Sequence, residues 1–235
     1  MNKLNSGIIF LLALSFFGSQ NSNAQLRKGH IVLDGYYGAP NFGVISANLL
    51  NLAVAPVIRE YVPELNETVD LTISGLGPMG GRVEYLVRDR IGLGVDFIYN
   101  STTCVFAIDT FDIDDINIGP MSITYKMTRM RGHFRFNYHF CNSKRWDIYC
   151  GLGVGLNNRK HKFTAQFHLL QDWNLSKAFS GSYPYSARTC LGIRFYPTKV
   201  VGLSMELGLG GPLVSGGISV RFNPKKEKEL ESDTE

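Results

Sequence analysis

Apolar and polar residues alternate along most of this chain. The clearest run is Gly132-His133-Phe134-Arg135-Phe136-Asn137-Tyr138-His139-Phe140, where Phe134, Phe136, Tyr138 and Phe140 share one face and His133, Arg135, Asn137 and His139 the other. Successive side chains of an extended strand point to opposite sides, so this spacing predicts a strand with one aromatic and one charged face. The same period predicts eight strands, near His30–Gly38, Gly80–Val87, Ile91–Asn100, Ser122–Phe140, Trp146–Asn157, Ser186–Tyr196, Val201–Leu209 and Val214–Phe222. Connections are short at Arg88–Arg90, Asn142–Arg145 and Pro197–Val200 and long at Ala39–Pro78, Ser101–Met121 and Arg159–Tyr185; the last, around Gly210-Gly211-Pro212, is short again. Even strand number, short turns on one rim and longer loops on the other predict an all-β fold: an eight-stranded antiparallel up-and-down β-barrel that spans a membrane.

A water-soluble eight-stranded barrel would alternate in the same way, so the polar face decides which side is inside. That face carries Asp34, Arg82, Glu84, Asp96, Arg131, Arg135, Asp147, Arg188, Arg194, Glu206 and Arg221, interspersed with Gly92, Gly94, Gly151, Gly153, Gly192, Gly202 and Gly217. Lysine, usual on solvated strands, lies mostly in turns, loops and the C-terminal tail. Arginine and carboxylates of both signs suit a confined interior, where a planar guanidinium satisfies several acceptors at once. These eleven residues are therefore read as a charge network inside the lumen. On the apolar face, Tyr138, Phe140, Trp146, Phe195 and Phe222 fall beside the short turns and Tyr37, Phe97 and Tyr99 near the opposite rim, the placement of two interfacial aromatic girdles.

Composition narrows the function classes. The chain has 235 residues, 44% of them hydrophobic, and a formal net charge of +4. No Lys/Arg run is long enough for a nucleic-acid footprint, and nucleic acid is not an expected partner. Residues 1–24 read as a secretory signal, with Lys3, the apolar run Ile8 to Phe17 and small residues at Ser22-Asn23-Ala24. Residues 25–222 then form the barrel and 223–235 a charged periplasmic tail. After Gln25 no apolar stretch is long enough for a membrane-spanning helix.

The segment Ser215-Gly216-Gly217-Ile218-Ser219-Val220-Arg221-Phe222 resembles the insertion signal of outer-membrane barrels, with Ser215, Gly217, Val220 and Phe222 in its polar, glycine, hydrophobic and aromatic positions. In that signal the aromatic commonly ends the chain, whereas here a tail follows. Gly77-Pro78-Met79-Gly80-Gly81-Arg82-Val83-Glu84-Tyr85, with Asp89-Arg90-Ile91-Gly92-Leu93-Gly94, is similar to the hairpin of small porin-like outer-membrane barrels of the Bacteroidetes lineage. The resemblance implies the outer membrane of a Gram-negative bacterium and, as partners, outer-membrane lipid, the barrel-assembly machinery during insertion and an unidentified surface ligand. It implies no reaction.

Candidate chemistry changes this little. Gly151-Leu152-Gly153-Val154-Gly155 lacks the following helix a phosphate loop requires, and Gly92-Leu93-Gly94-Val95 and Gly202-Leu203-Ser204-Met205 repeat its pattern as strand grammar. Cys104, Cys141, Cys150 and Cys190 fall at positions too far apart or pointing apart for bridges, no metal spacing exists, and no cofactor is expected. His133 and His139 share the inner face but lie roughly 20 Å apart along the strand, too far to act together. Ser204, Ser219 and Glu206 also face inward, and a hydrolase would need serine, histidine and carboxylate in contact. His161 and His168 read as loop residues. In the first long loop, Ser46–Ala55 has a helical stripe of Ile45, Leu49, Leu52 and Ala53, with Ser46 as cap and Pro56 as stop; it is read as a short helix packed on the rim, the alternatives being a lid over the lumen or a patch that touches lipid or a partner. Two function classes follow: a non-enzymatic barrel with a side-chain-filled lumen, serving display, binding or envelope structure, and a small lipid-active enzyme or narrow-solute transporter. The first is favoured, because side chains fill an eight-stranded lumen.

Overall fold

The computed structural model describes residues 26–61, 69–108, 111–113, 116–118, 121–167, 170–174 and 184–223. The expected secretory segment, His168 and the tail beyond Asn223 lie outside them. In chain order the elements are β1 (Ile31–Ala39), α1 (Phe42–Tyr61), β2 (Val69–Ser74), β3 (Met79–Arg88), β4 (Ile91–Ile108), β5 (Phe111–Ile113), β6 (Ile116–Ile118), β7 (Met121–Asn142), β8 (Trp146–Phe167), β9 (Leu170–Asn174), β10 (Tyr185–Phe195), β11 (Val201–Leu209) and β12 (Val214–Phe222). Strands β1, β3, β4, β7, β8, β10, β11 and β12 pair antiparallel in that order. The ladder closes where β12 returns to β1, from Ile31 opposite Phe222 to Ala39 opposite Val214. The chain is thus a closed eight-stranded antiparallel up-and-down barrel, and closure leaves no unpaired edge in its wall.

Its polarity is inverted relative to a water-soluble barrel. Val83, Val95, Phe97, Phe134, Phe136, Leu152, Val154, Leu191, Leu203, Met205 and Ile218 are exposed on the outer wall, whereas Glu84, Arg135, His139 and Arg194 are fully buried inside. Among the described residues the buried apolar cluster is only Leu26, Val32 and Leu86. Ladder hydrogen bonds and the polar interior therefore take the place of an ordinary hydrophobic core. At the short-turn end, Trp146 and Phe195 face each other across β8 and β10 with ring centroids 4.5 Å apart. Near the other rim, the Tyr37 hydroxyl accepts a hydrogen bond from the Gly77 amide at 3.1 Å.

Two strands overrun the expected boundaries by many residues. β4 continues to Ile108 and β8 to Phe167, through stretches read from sequence as loops, so that His161 is a strand residue. Both faces of these extensions carry polar residues, Thr102 and Thr103 on β4 and Arg159, Lys160, Lys162 and Thr164 on β8, so the hydrophobic alternation fades although the β-branched threonines still favour extended backbone. β2 adds to the free side of β4 and β9 to that of β8, while β5 and β6 form a separate hairpin. At 22 residues, β7 is roughly 70 Å long against roughly 30 Å for nine-residue β1. Half of the longer strand thus stands clear of the apolar belt.

The helix also differs from expectation. It starts at Phe42 rather than Ser46, because the Asn41 carboxamide oxygen accepts from the Gly43 amide at 3.1 Å and caps it. The Ser46 hydroxyl instead donates to the Gly43 carbonyl at 3.0 Å. Pro56 lies inside the helix rather than ending it. The first turn is seated, with Gly43 against Thr102 and Met127, whereas Leu49, Leu50 and Leu52 are exposed rather than packed on the rim.

The closing strand supports one prediction. Phe222 pairs with Ile31 at the last rung of the seam, and Val220 and Phe222 lie on the outer face while Ser215 and Ser219 are buried. Phe222→Asp places a charge on that outer face. It is expected to reduce the yield of heat-modifiable barrel on refolding into lipid vesicles, whereas a chain ending at Phe222 refolds normally. Equal yields from the two chains would refute this role for the aromatic.

Candidate functional site

Strands β1, β3, β4, β7, β8, β10 and β11 each turn alternate residues inward, and these converge on one continuous polar cluster. Its lower half is centred on Arg194, which pairs with Asp34 at 2.8 Å, Glu84 at 2.7 Å and Asp147 at 3.0 Å. His139 bridges two of the same carboxylates, Nδ1 to Asp147 at 2.6 Å and Nε2 to Glu84 at 2.8 Å. In the upper half Glu206 receives Arg82, Arg135 at 2.6 Å and Arg188 at 2.8 Å. Asp96 lies 3.4 Å from both Arg135 and Arg188 and accepts the Tyr36 hydroxyl at 2.5 Å. Arg82 joins the halves, reaching Asp34 at 3.2 Å and the Tyr149 hydroxyl at 2.7 Å.

Charge balance follows from these contacts. The five carboxylates, Asp34, Glu84, Asp96, Asp147 and Glu206, face four guanidiniums, Arg82, Arg135, Arg188 and Arg194. A ring nitrogen of His139 meets a carboxylate oxygen on each side. An imidazolium donates from both nitrogens, and in that form His139 makes the cluster neutral. Aromatic faces complete the packing: Arg194 lies 4.3 Å from the Tyr149 centroid and Arg82 5.5 Å from that of Tyr36. Glycine makes room, since a Cβ at Gly192 would come within 2.2 Å of the Tyr149 ring.

Nine of the eleven residues singled out from sequence meet in this cluster. The other two sit at its ends without a carboxylate. Arg221 lies 3.8 Å from the Tyr196 centroid at the short-turn end and donates to the backbone carbonyls of Lys199 and Lys144. Arg131, at the long-strand end, donates to the Gly210 carbonyl and reaches the Asn100 carboxamide oxygen at 3.5 Å. Above it on the same face, half-burial and then the charge of Arg159 lower the Arg129 guanidinium below the usual arginine pKa. Sequence reasoning missed His139 as a bridge and Tyr36, Tyr149, Tyr196 and Cys190 as lumen residues. Their signal was parity alone: Tyr36 shares a face with Asp34, Tyr149 with Asp147, Cys190 with Arg188.

Among the described residues no hydrolytic triad assembles in this interior. His133 Nε2 lies 2.9 Å from the Ser186 hydroxyl, but its Nδ1 has no partner. Asp96, opposite it on β4, is engaged by Tyr36, Arg135 and Arg188. Ser219 is bonded to Tyr196 at 2.8 Å, and His139 is held between carboxylates. All four cysteines are free, and among the described residues no group of His, Cys, Asp or Glu has the arrangement of a metal site.

No protein-family model and no curated protein matches the chain. Solved structures to which it is similar include the N-terminal β-barrel domain of Pseudomonas aeruginosa OprF, with 10% identity and a TM-score of 0.40 over 83% of this chain and 99% of that one. Ail, the attachment invasion locus protein of Yersinia pestis, in complex with the heparin analogue sucrose octasulfate, shows 12% identity and a TM-score of 0.36 over the same shares of the two chains. At such distances the fold assignment rests on this chain's own strand pairing.

Proposed function

We propose that the protein is a non-enzymatic outer-membrane β-barrel of a Gram-negative bacterium, of the small porin-like Bacteroidetes type, with a sealed lumen and an outward β-extension that serves display, binding or envelope structure. The observation that carries this reading is the ion-paired cluster across the barrel interior, combined with an exposed apolar outer wall. Such a wall is stable in lipid, where closure satisfies every backbone group, and the paired side chains occupy the lumen a solute would need. The amino-terminal segment that reads as an export signal supports the same compartment. In this setting Ser215, Gly217, Val220 and Phe222 serve insertion, the short turns face the periplasm, and the charged tail follows them there.

Bilayer recording tests the sealed lumen. The purified, refolded protein is expected to show no steady single-channel conductance, whereas Glu206→Ala, if it refolds, admits water and yields conducting events. A large steady conductance from the unaltered protein would exclude a sealed barrel.

The contact between His133 and Ser186 favours a second reading, a lipid-active enzyme. Ser186→Ala separates the two: hydrolysis of outer-membrane lipid by the parent chain, abolished by this substitution, supports the enzyme. No hydrolysis by either chain supports the non-enzymatic barrel.

A further inference from the structure

Four arginines of the lumen find carboxylates; Arg131 does not. It is buried, its Nε has no partner, and its hydrogen bonds among the described residues go to the neutral oxygens of Gly210 and Asn100. One rung higher on the same inner face stands Arg129, whose Nε donates to the Asn157 carboxamide oxygen at 2.8 Å, and directly opposite it on β8 stands Arg159. Directly opposed like charges on adjacent strands destabilise a sheet.

The surrounding strands offer no compensation. Residues 97–108, 121–133 and 148–167, the upper parts of β4, β7 and β8, contain no Asp or Glu, but hold Lys126, Arg129, Arg131, Arg159, Lys160 and Lys162. β9 meets β8 only from Thr164 onward, and Asp70 of β2 lies opposite Ala107 on the outer face. Asp96 below is already engaged by Tyr36, Arg135 and Arg188. Two further donors converge here. His133, one rung below Arg131, is buried with Nδ1 unpartnered, and α1 begins at Thr102 and Met127 with no acidic residue in its first turn. A helix start carries positive potential from its unpaired amides.

We propose that this outward mouth of the lumen, framed by Arg129, Arg131 and Arg159, binds a tetrahedral oxyanion of the phosphate or sulfate type. Planar guanidiniums grip such groups through paired, charge-assisted hydrogen bonds, and a doubly charged anion relieves the repulsion between Arg129 and Arg159. Arg131 at the floor supplies an anchor already held in place by Gly210 and Asn100, while Arg159, which is exposed, leaves the site open from above. The site rests on the barrel reading only for the side from which the anion arrives.

Inorganic phosphate and sulfate, titrated against the full chain in detergent micelles and compared with chloride at equal ionic strength, test the site by calorimetry. Phosphate or sulfate is expected to bind with one anion per chain. In a chain carrying Arg129→Gln and Arg159→Gln, affinity should fall by about tenfold or more. Both residues lie outside the ion-paired cluster, so this chain should keep its heat-modifiable fold; Lys126→Gln with Lys162→Gln, on the opposite face of the same strands, should keep the affinity. A vesicle arm distinguishes the sources: preference for a phosphorylated lipid over its dephosphorylated form assigns the anion to a headgroup, and equal behaviour of the two lipids assigns it to free anion. Binding no stronger than that of chloride, or an unchanged affinity in the Arg129/Arg159 chain, would overturn the proposal. The anion assay is independent of sealing, because a barrel that conducts in bilayers can still bind phosphate at its mouth.

Discussion

Glu206→Ala is expected to destabilise the barrel by about 3–5 kcal/mol, the usual cost of breaking a buried ion pair from one side. Glu206 is 4% exposed and accepts Arg82, Arg135 and Arg188, so its removal leaves three guanidiniums around a hole and the cluster one charge too positive. The tryptophans provide the readout, as unfolding by denaturant in micelles. A loss of this size lowers the ratio of folded to unfolded chain by about two to four orders of magnitude. A charge mechanism also predicts that Glu206→Ala with Arg188→Ala is less harmful than the sum of the two single changes, since the pair restores neutrality. If the single change leaves the unfolding midpoint where it was, the cluster does not hold the barrel together.

Gly217→Val is expected to prevent closure, whereas Gly216→Val next to it is tolerated. A Cβ at Gly217 would lie 2.0 Å from the Gly35 carbonyl oxygen and 2.7 Å from the Tyr36 Cα, both backbone atoms of β1 that cannot move aside without opening the seam. At Gly216, on the outer face, the nearest atom is the Ser204 carbonyl oxygen at 3.9 Å, and a branched side chain there adds to the apolar wall. Gel mobility before and after heating reports the outcome: Gly216→Val should give the compact folded band and Gly217→Val should lose it. A normal folded fraction from Gly217→Val would show that the seam closes differently.

Period two was enough to read the barrel. It set the strand number and the two faces of each strand, and the arginines and carboxylates of the polar face then decided which face turns inward and with it the eleven charged positions, because alternation is written locally in each strand. Pairing within the lumen was not legible. Which rungs of β10 and β1 share a level depends on the stagger of the whole sheet, so no local pattern announces that Arg194 meets Asp34. Tyr36 and Tyr149 were missed for a different reason: an aromatic in such a chain is first read as part of the wall, and only its parity with a neighbouring aspartate places it inside. The long reach of β4 and β8 was hidden by polar residues on both faces, where hydrophobic alternation has nothing to report. The start of α1 turned on Asn41, whose capping bond lies outside the apolar stripe used to find the helix.

Some lumen contacts join distant parts of the chain, Arg194 to Asp34 across 160 residues and Arg82 to Glu206 across 124. None of these links can form while the sheet is open, so a half-built barrel would present unmatched charges on the side that later becomes its interior. Contacts of such long sequence separation make folding slow. A sheet in that condition gains little by entering lipid strand by strand, and the energetic reward arrives together with the last pairing. Assembly is therefore expected to be a single late event whose rate-limiting step is the meeting of β12 with β1. On this account a chain stalled before that step remains water-accessible and open to proteases along all its strands, with no protected fragment marking a partly inserted intermediate.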